Sequence, residues 1–123
     1  MNILLINHYA GGPRYGMEFR PYFMAREWVR MGHRVEIIAC SHSHVRAHQP
    51  MLQGQPEAVE VLDGITYRWL QAPAYRGNGW GRLLNIGVFL FRLMARSNRV
   101  VREFQPDLVI ASSTYPMDSW VAR

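Results

Sequence analysis

Cysteine is nearly absent from the chain, and lysine is wholly absent. The single thiol, Cys40, closes an apolar segment. No disulfide can form within the chain, and one thiol in such a setting fits a reducing compartment. No apolar run approaches the roughly 18 residues that a membrane span needs. Met1 leads straight into NILLIN with no secretory signal before it, so a cytoplasmic location is expected. Internal repeats are missing too. Acidic residues number nine against fourteen basic ones, all arginine, for a net charge of +5. Arginine grips phosphate with a planar fork, although GC-rich coding explains the bias more simply. The arginines are scattered, without the basic stripe and interleaved aromatics of nucleic-acid binding, which excludes nucleic acid as a partner. At 123 residues the chain holds one domain at most.

What is present alternates between strand and helix. Asn2 to Asn7 is an apolar run suited to a strand covered on both faces. It stops at a loop holding Gly11, Gly12 and Gly16. A helix over Met17 to Met31 follows, with Met17, Pro21, Met24, Trp28 and Met31 as its apolar stripe. Gly32 ends it, and Arg34 to Cys40 gives a second strand. Ser41 to Pro56 reads as a long polar loop. Ala58 to Leu62 and Ile65 to Leu70 flank Asp63-Gly64, a strong hairpin signal. After the loop Ala72 to Gly81, a second helix is predicted over Trp80 to Phe104. Leu83, Ile86, Leu90, Leu93, Met94, Val101 and Phe104 form its sheet-facing side. Arg82, Arg92, Arg96, Arg99 and Arg102 fall opposite, mixed with Leu84, Val88, Phe89 and Phe91. A last strand, Leu108 to Ala111, leads through Ser112 to Pro116 into a helical turn that reads as cut off. The expected fold is therefore α/β: a Rossmann-like parallel sheet flanked by helices, with a β-hairpin insertion and right-handed crossovers.

Four sites follow from this order. A Gly-rich turn and a helix start at the carboxyl end of a strand favour an anion or sugar. Gly11, Gly12, Arg14, Tyr15 and Gly16 are the candidates there, although the G-x-G-x-x-G spacing is absent. Ser113 and Thr114 would face the same crevice if the last strand neighbours the first; they equally suit a helix cap. His8 and Glu18 are the weaker candidates for a catalytic base, and Asp118 is a further carboxylate near the crevice. His42, His44 and His48 have a spacing that a metal could use, but no acidic or thiol ligand is close, and no metal or other cofactor is expected. Finally, Leu84, Val88, Phe89, Phe91 and Arg92 would suit an anionic membrane surface, or burial by a dimer mate or further parts of the protein.

NHYAGGPRYGMEFRPYFMAREWVRMGHRVEIIA, DGITYRWL and FQPDLVIASSTYP together resemble the start of a family 4 bacterial glycosyltransferase. The likeness is to the O-antigen and capsule enzymes, including the fucosaminyltransferase-like group. It covers nearly all of the chain. The resemblance implies a GT-B architecture, with residues 1–123 forming most of the amino-terminal, acceptor-side domain. The carboxyl-terminal nucleotide-sugar-binding domain would lie beyond Arg123. It implies a nucleotide-sugar donor whose diphosphate or sugar lies against Gly11 and Gly12, and a lipid-linked saccharide acceptor at the inner membrane face. It also implies transfer without a metal.

Two rivals remain. A non-catalytic ligand-binding or regulatory α/β module, such as a receiver domain, would need acidic residues at its strand ends, where Asn7, Ala39 and Ala111 stand. A nicotinamide dehydrogenase half would need an acidic residue where Cys40 and Ser41 stand. The isolated chain is expected not to turn over alone. Sugar transfer measured with the purified 123-residue chain would contradict that.

Overall fold

The computed structural model describes residues 1–16, 19–77, 79–112 and 117–123, with 117–119 by backbone alone. Five strands and three helices run in the order β1 (Asn2–Ile6), α1 (Phe19–Arg30), β2 (Arg34–Cys40), β3 (Glu57–Leu62), β4 (Ile65–Leu70), α2 (Trp80–Phe104), β5 (Leu108–Ala111) and α3 (Met117–Ala122). The sheet order is β3-β4-β2-β1-β5. β1 pairs in parallel with both β2 and β5, β2 pairs in parallel with β4, and β3 is the antiparallel edge. The two β1 neighbours are reached through α1 on one side and α2 on the other, so the chain switches direction between β1 and β5. The expected Rossmann-like sheet with its hairpin insertion is present.

Local sequence explains the elements. β-branched and aliphatic residues fill β1 and β2, which are buried on both faces. Ile3, Leu5, Val35, Ile37, Tyr67 and Trp69 face α1, whereas Leu4, Ile6, Ile38 and Leu70 face α2. The hairpin turn places both Asp63 (φ 51°) and Gly64 (φ 79°) at positive φ, as a two-residue type I′ turn requires. Helix α2 ends at Gln105, which is left-handed and returns its N–H to the Val101 carbonyl at 2.9 Å.

Both long helices are rotated from the phase that their apolar residues suggest. In α1 the buried residues are Pro21, Tyr22 and Ala25, while Met24 and Met31 are exposed. Tyr22 turns inward because its ring covers Gly12 and its hydroxyl donates to Asp63 in the hairpin turn. In α2 the buried residues are Asn85, Phe89, Leu93, Val100 and Phe104, whereas Leu83, Met94 and Val101 are exposed. Phe89, expected on the outer face, is 0% exposed in the core, and Val88 packs against the same cluster. Leu84 and Phe91 do face outward. Polar contacts set this phase. Asn85 is held at the sheet edge, and Arg68 of β4 bonds Glu36 at 2.6 Å and Glu57 at 3.3 Å. Glu57 in turn receives Arg99 at 3.0 Å and lies 3.3 Å from Arg96.

Truncating the two phenylalanines separates the two phases. Phe89→Ala should cost about 3–5 kcal/mol, as for other core aromatics, and Phe91→Ala less than about 0.5 kcal/mol. Urea unfolding midpoints of the two variants at unchanged slope provide the comparison.

Candidate functional site

The parallel strands bring four chain ends to one edge. Asn7 N–H donates to the Ile38 carbonyl at 3.0 Å, Ser41 N–H to Leu70 at 2.9 Å and Ser112 N–H to Ile6 at 2.9 Å. Ligands of open α/β sheets bind outside such carboxyl ends. The segments that leave them, together with the first turns of α2, carry the polar side chains that gather here.

His8 is fully buried at the end of β1. Its Nε2 lies 2.7 Å from Asn85 Oδ1. Asn85 gives its Nδ2 to the Pro73 carbonyl at 2.9 Å, which leaves Oδ1 facing the imidazole. An amide oxygen only accepts, so Nε2 carries the proton in the neutral ring. Burial, the largest cause, pulls the His8 pKa down to about 4, and the ring is neutral near pH 7. The Tyr9 ring meets His8 edge-on at 4.4 Å and His44 at 5.7 Å. Arg82, in the first turn of α2, donates to the Tyr9 hydroxyl at 3.0 Å. Tyr75 completes the group: its hydroxyl lies 2.7 Å from His44 Nδ1, and its carbonyl 3.2 Å from His42 Nε2.

Arg46 is the unusual member. Its side chain is 5% exposed, and Nη2 donates to the Cys40 carbonyl at 2.5 Å. The guanidinium lies 5.0 Å from the Trp69 ring centroid. Its Nε and Nη1 are sealed from solvent with no hydrogen-bond partner among the described residues. Burial lowers its pKa to about 10, and the groups that counter this are Cys40, Tyr15 and Tyr75, none of them a carboxylate. Arg46 thus remains cationic at neutral pH without a counter-ion among the described residues. A buried charge in that position costs several kcal/mol.

The glycine loop does something other than its spacing suggests. Gly11 and Gly12 are buried. The Gly11 carbonyl accepts from Tyr67 Oη at 2.9 Å. A Cβ on Gly12 would meet the Tyr22 ring at 3.4 Å and Tyr67 Oη at 3.5 Å. The pair is thus covered by the protein itself and does not line an open crevice, although β1 and β5 are neighbours as expected. Gly16 (φ 72°) passes against the polar loop, where a Cβ would come within 2.7 Å of Ala47 Cβ. The loop leans toward the hairpin: Arg14 bonds Glu60 at 3.1 Å, and the Tyr15 hydroxyl donates to the same carboxylate. Glu18, Ser113 and Thr114 lie outside the described residues, and so does the Asp118 side chain. His48 borders a cleft with Arg14 and Glu60, whereas His42 and His44 turn to Tyr75. No group of three metal-ligating side chains forms among the described residues. Arg92 donates to Gln71 Oε1 at 3.0 Å, so this arginine is engaged with the sheet. No helix among the described residues is long and apolar enough to cross a membrane.

The edge therefore combines imidazoles, phenols and a guanidinium without a carboxylate partner among the described residues, at a switch point of a parallel sheet. Residues 16–123 match the family model described as a glycosyl transferase 4-like domain. The chain belongs to that family. No curated protein matches the chain. In this glycosyltransferase-family domain, sequence reasoning had singled out His8 but not Tyr9, Arg46, Tyr75, Arg82 or Asn85 as members of one group. Only Asn85 left a trace, a polar residue where an amphipathic helix otherwise buries apolar ones. Arg46 lies in a polar loop where an arginine raises no expectation.

Two measurements probe this geometry. His8 has a folded-state pKa below its unfolded value of about 6.5, so the unfolded chain binds the extra proton. Its contribution is fully present above about pH 6.5 and is lost as pH falls toward about 4, by up to about 3 kcal/mol. Urea midpoints followed across that window should show this loss, and His8→Gln should flatten it. Gly16→Ala combines a positive φ with the Ala47 contact and should cost more than about 1 kcal/mol, read from the thermal midpoint. A neutral outcome would mean that the loop is not seated on Ala47.

Proposed function

We propose that this domain is the acceptor-side half of a sugar transferase, and that its carboxyl edge holds a phosphate-bearing substrate group. One observation carries the reading: Arg46, buried and charged, has no carboxylate to offset it among the described residues, at the edge where such sheets take their ligands. Guanidinium suits phosphate oxygens, which it meets with two parallel N–H groups. Arg82 and His44 stand beside Tyr9 on the same edge. When a sugar leaves a nucleotide diphosphate, negative charge grows on the leaving oxygens, and preorganised donors there lower the barrier. The acceptor hydroxyl needs orientation more than activation. His8 is committed to Asn85 at its Nε2, which fits it for positioning the β1 end.

The resemblance supports the finer terms of the proposal: a nucleotide-sugar donor, a lipid-linked saccharide acceptor, and a place in O-antigen or capsule synthesis with fucosaminyltransferase-like chemistry. The whole enzyme would then act in the cytoplasm at the inner membrane face, with a carboxyl-terminal nucleotide-sugar domain completing the cleft. Gly11, Gly12 and Gly16 enter this proposal only as the frame that turns Arg14 and Tyr15 to the hairpin, and Ser113 and Thr114, which follow β5 in sequence, as hydroxyl donors. The exposed Leu84, Phe91, Met94 and Trp120 would meet a membrane, a second copy or another part of the enzyme. A membrane is the less favoured of these, because Arg92, Arg96 and Arg99 are already engaged by Gln71 and Glu57.

Arg46→Met tests the proposal because binding and stability should move in opposite directions. Titration of the labelled chain with pyrophosphate should shift resonances of His44, Arg46 and Arg82. The variant should weaken that binding about tenfold or more, while unfolding stability stays level or rises, since an apolar side chain replaces an uncompensated charge. Unchanged pyrophosphate binding in Arg46→Met would overturn the role given to this residue. Labelled nucleotide-sugars incubated with the whole enzyme and prenyl-diphosphate sugars test the transfer itself.

A further inference from the structure

A concavity lies at the same end of the sheet, beside the hairpin. It is a cleft of about 330 Å³ bounded by the β1–α1 loop, residues 48–51 and the start of the edge strand β3. Pockets that bind small molecules span about 300–1,000 Å³, so this one fits a single ring better than a nucleotide. Arg14 and Tyr15 line it, and none of His8, Tyr9, His44, Arg46 or Arg82 does.

Its chemistry is specific. Glu60 is held in place by three donors: Arg14 at 3.1 Å, Trp69 Nε1 at 2.8 Å and the Tyr15 hydroxyl. Its side chain is about a quarter exposed, whereas that of Arg14 is mostly exposed, so a fixed acceptor and a set of guanidinium donors sit side by side. Their charges cancel. A phosphate would be repelled by Glu60 and a cation by Arg14. Exposed Met51, with Ala58 on the same strand face as Glu60, supplies an apolar lip. A neutral ring with hydroxyls on its rim and C–H groups on one face matches this combination. The polar loop joins the two sites, because Arg46 lies against the Trp69 ring and His48 borders the cleft.

We infer that this cleft is a subsite for a neutral sugar ring of the acceptor glycan, one or more residues away from the sugar that reacts. The inference rests on the transferase reading above and adds to it a determinant of acceptor specificity: glycans long enough to reach Glu60 and Arg14 are retained better than short ones. The cleft contributes binding rather than chemistry.

Two titrations of the labelled chain decide it. Neutral sugars (galactose, N-acetylglucosamine, fucose and lactose) should shift the Trp69 indole N–H and the amides of residues 48–51 and 58–60. Met51→Asp, which removes the apolar lip at an exposed position, should raise the apparent Kd of the sugar that binds about tenfold. Met51→Leu should leave it near the parent value, and an unchanged Trp69 signal without sugar shows that either variant is folded. Sugar shifts confined to His8, Tyr9 and His44, shifts unaffected by Met51→Asp, or no shifts at all would each overturn the subsite. Pyrophosphate keeps the two readings apart. If it moves the Arg46 edge while sugars leave the cleft still, the transferase reading stands and the subsite falls. If pyrophosphate moves nothing, the anion reading beneath the inference falls.

Discussion

The hydrogen bond from His8 to Asn85 joins the carboxyl end of the interior strand β1 to the start of the longest helix. Both groups are buried, and a buried polar group without a partner costs about 1–3 kcal/mol. The pairing is therefore exacting in both directions: β1 must end where His8 can reach α2, and α2 must turn Asn85 inward. That turn carries Phe89, Leu93, Val100 and Phe104 into the core and leaves Leu84, Phe91 and Met94 outside. The same bond selects the His8 tautomer and, through Asn85, holds the loop at Pro73. One polar contact thus sets the helix phase, the shape of the ligand edge and the face that remains for a partner.

The arginines divide by environment rather than by sequence. Arg68, Arg96 and Arg99 meet Glu36, Glu57 and Glu103 and act as a structural network between sheet and helix. Arg14 meets Glu60 at the hairpin. Arg46, by contrast, has a carbonyl and an aromatic face but no carboxylate among the described residues. A buried cation left in this state is destabilising, and its retention at the ligand edge is consistent with a substrate anion completing the pair. The family membership and the electrostatics therefore support the same reading from independent directions.

Much of the fold was legible before any coordinates. The hairpin could be placed because Asp63-Gly64 suits a turn with two positive φ angles, and α2 because its apolar residues recur at helical spacing between a Gly-rich loop and Pro106. Helix phase was harder to read. Hydropathy counts methionine and leucine as core, yet Met24, Met31 and Leu83 are exposed while Tyr22 and Asn85 are buried. The glycine loop was found, but its purpose was not. Gly12 accommodates the Tyr22 ring and Gly16 accommodates Ala47, contacts made by residues distant in sequence.

From the amino-acid order alone came the alternation of strands and helices, the hairpin, the parallel core and the kinship to family 4 transferases. Those features depend on neighbours along the chain, through periodicity, turn chemistry and the covalent limits of each residue. The folded chain alone decided which helix faces are buried, that Gly11 and Gly12 are covered, that Arg14 and Tyr15 turn to Glu60, and that Arg46 meets no carboxylate among the described residues. Each of these is set by groups tens of residues apart meeting in a low-dielectric interior, where the fate of a charge or a polar atom depends on what the rest of the chain places beside it.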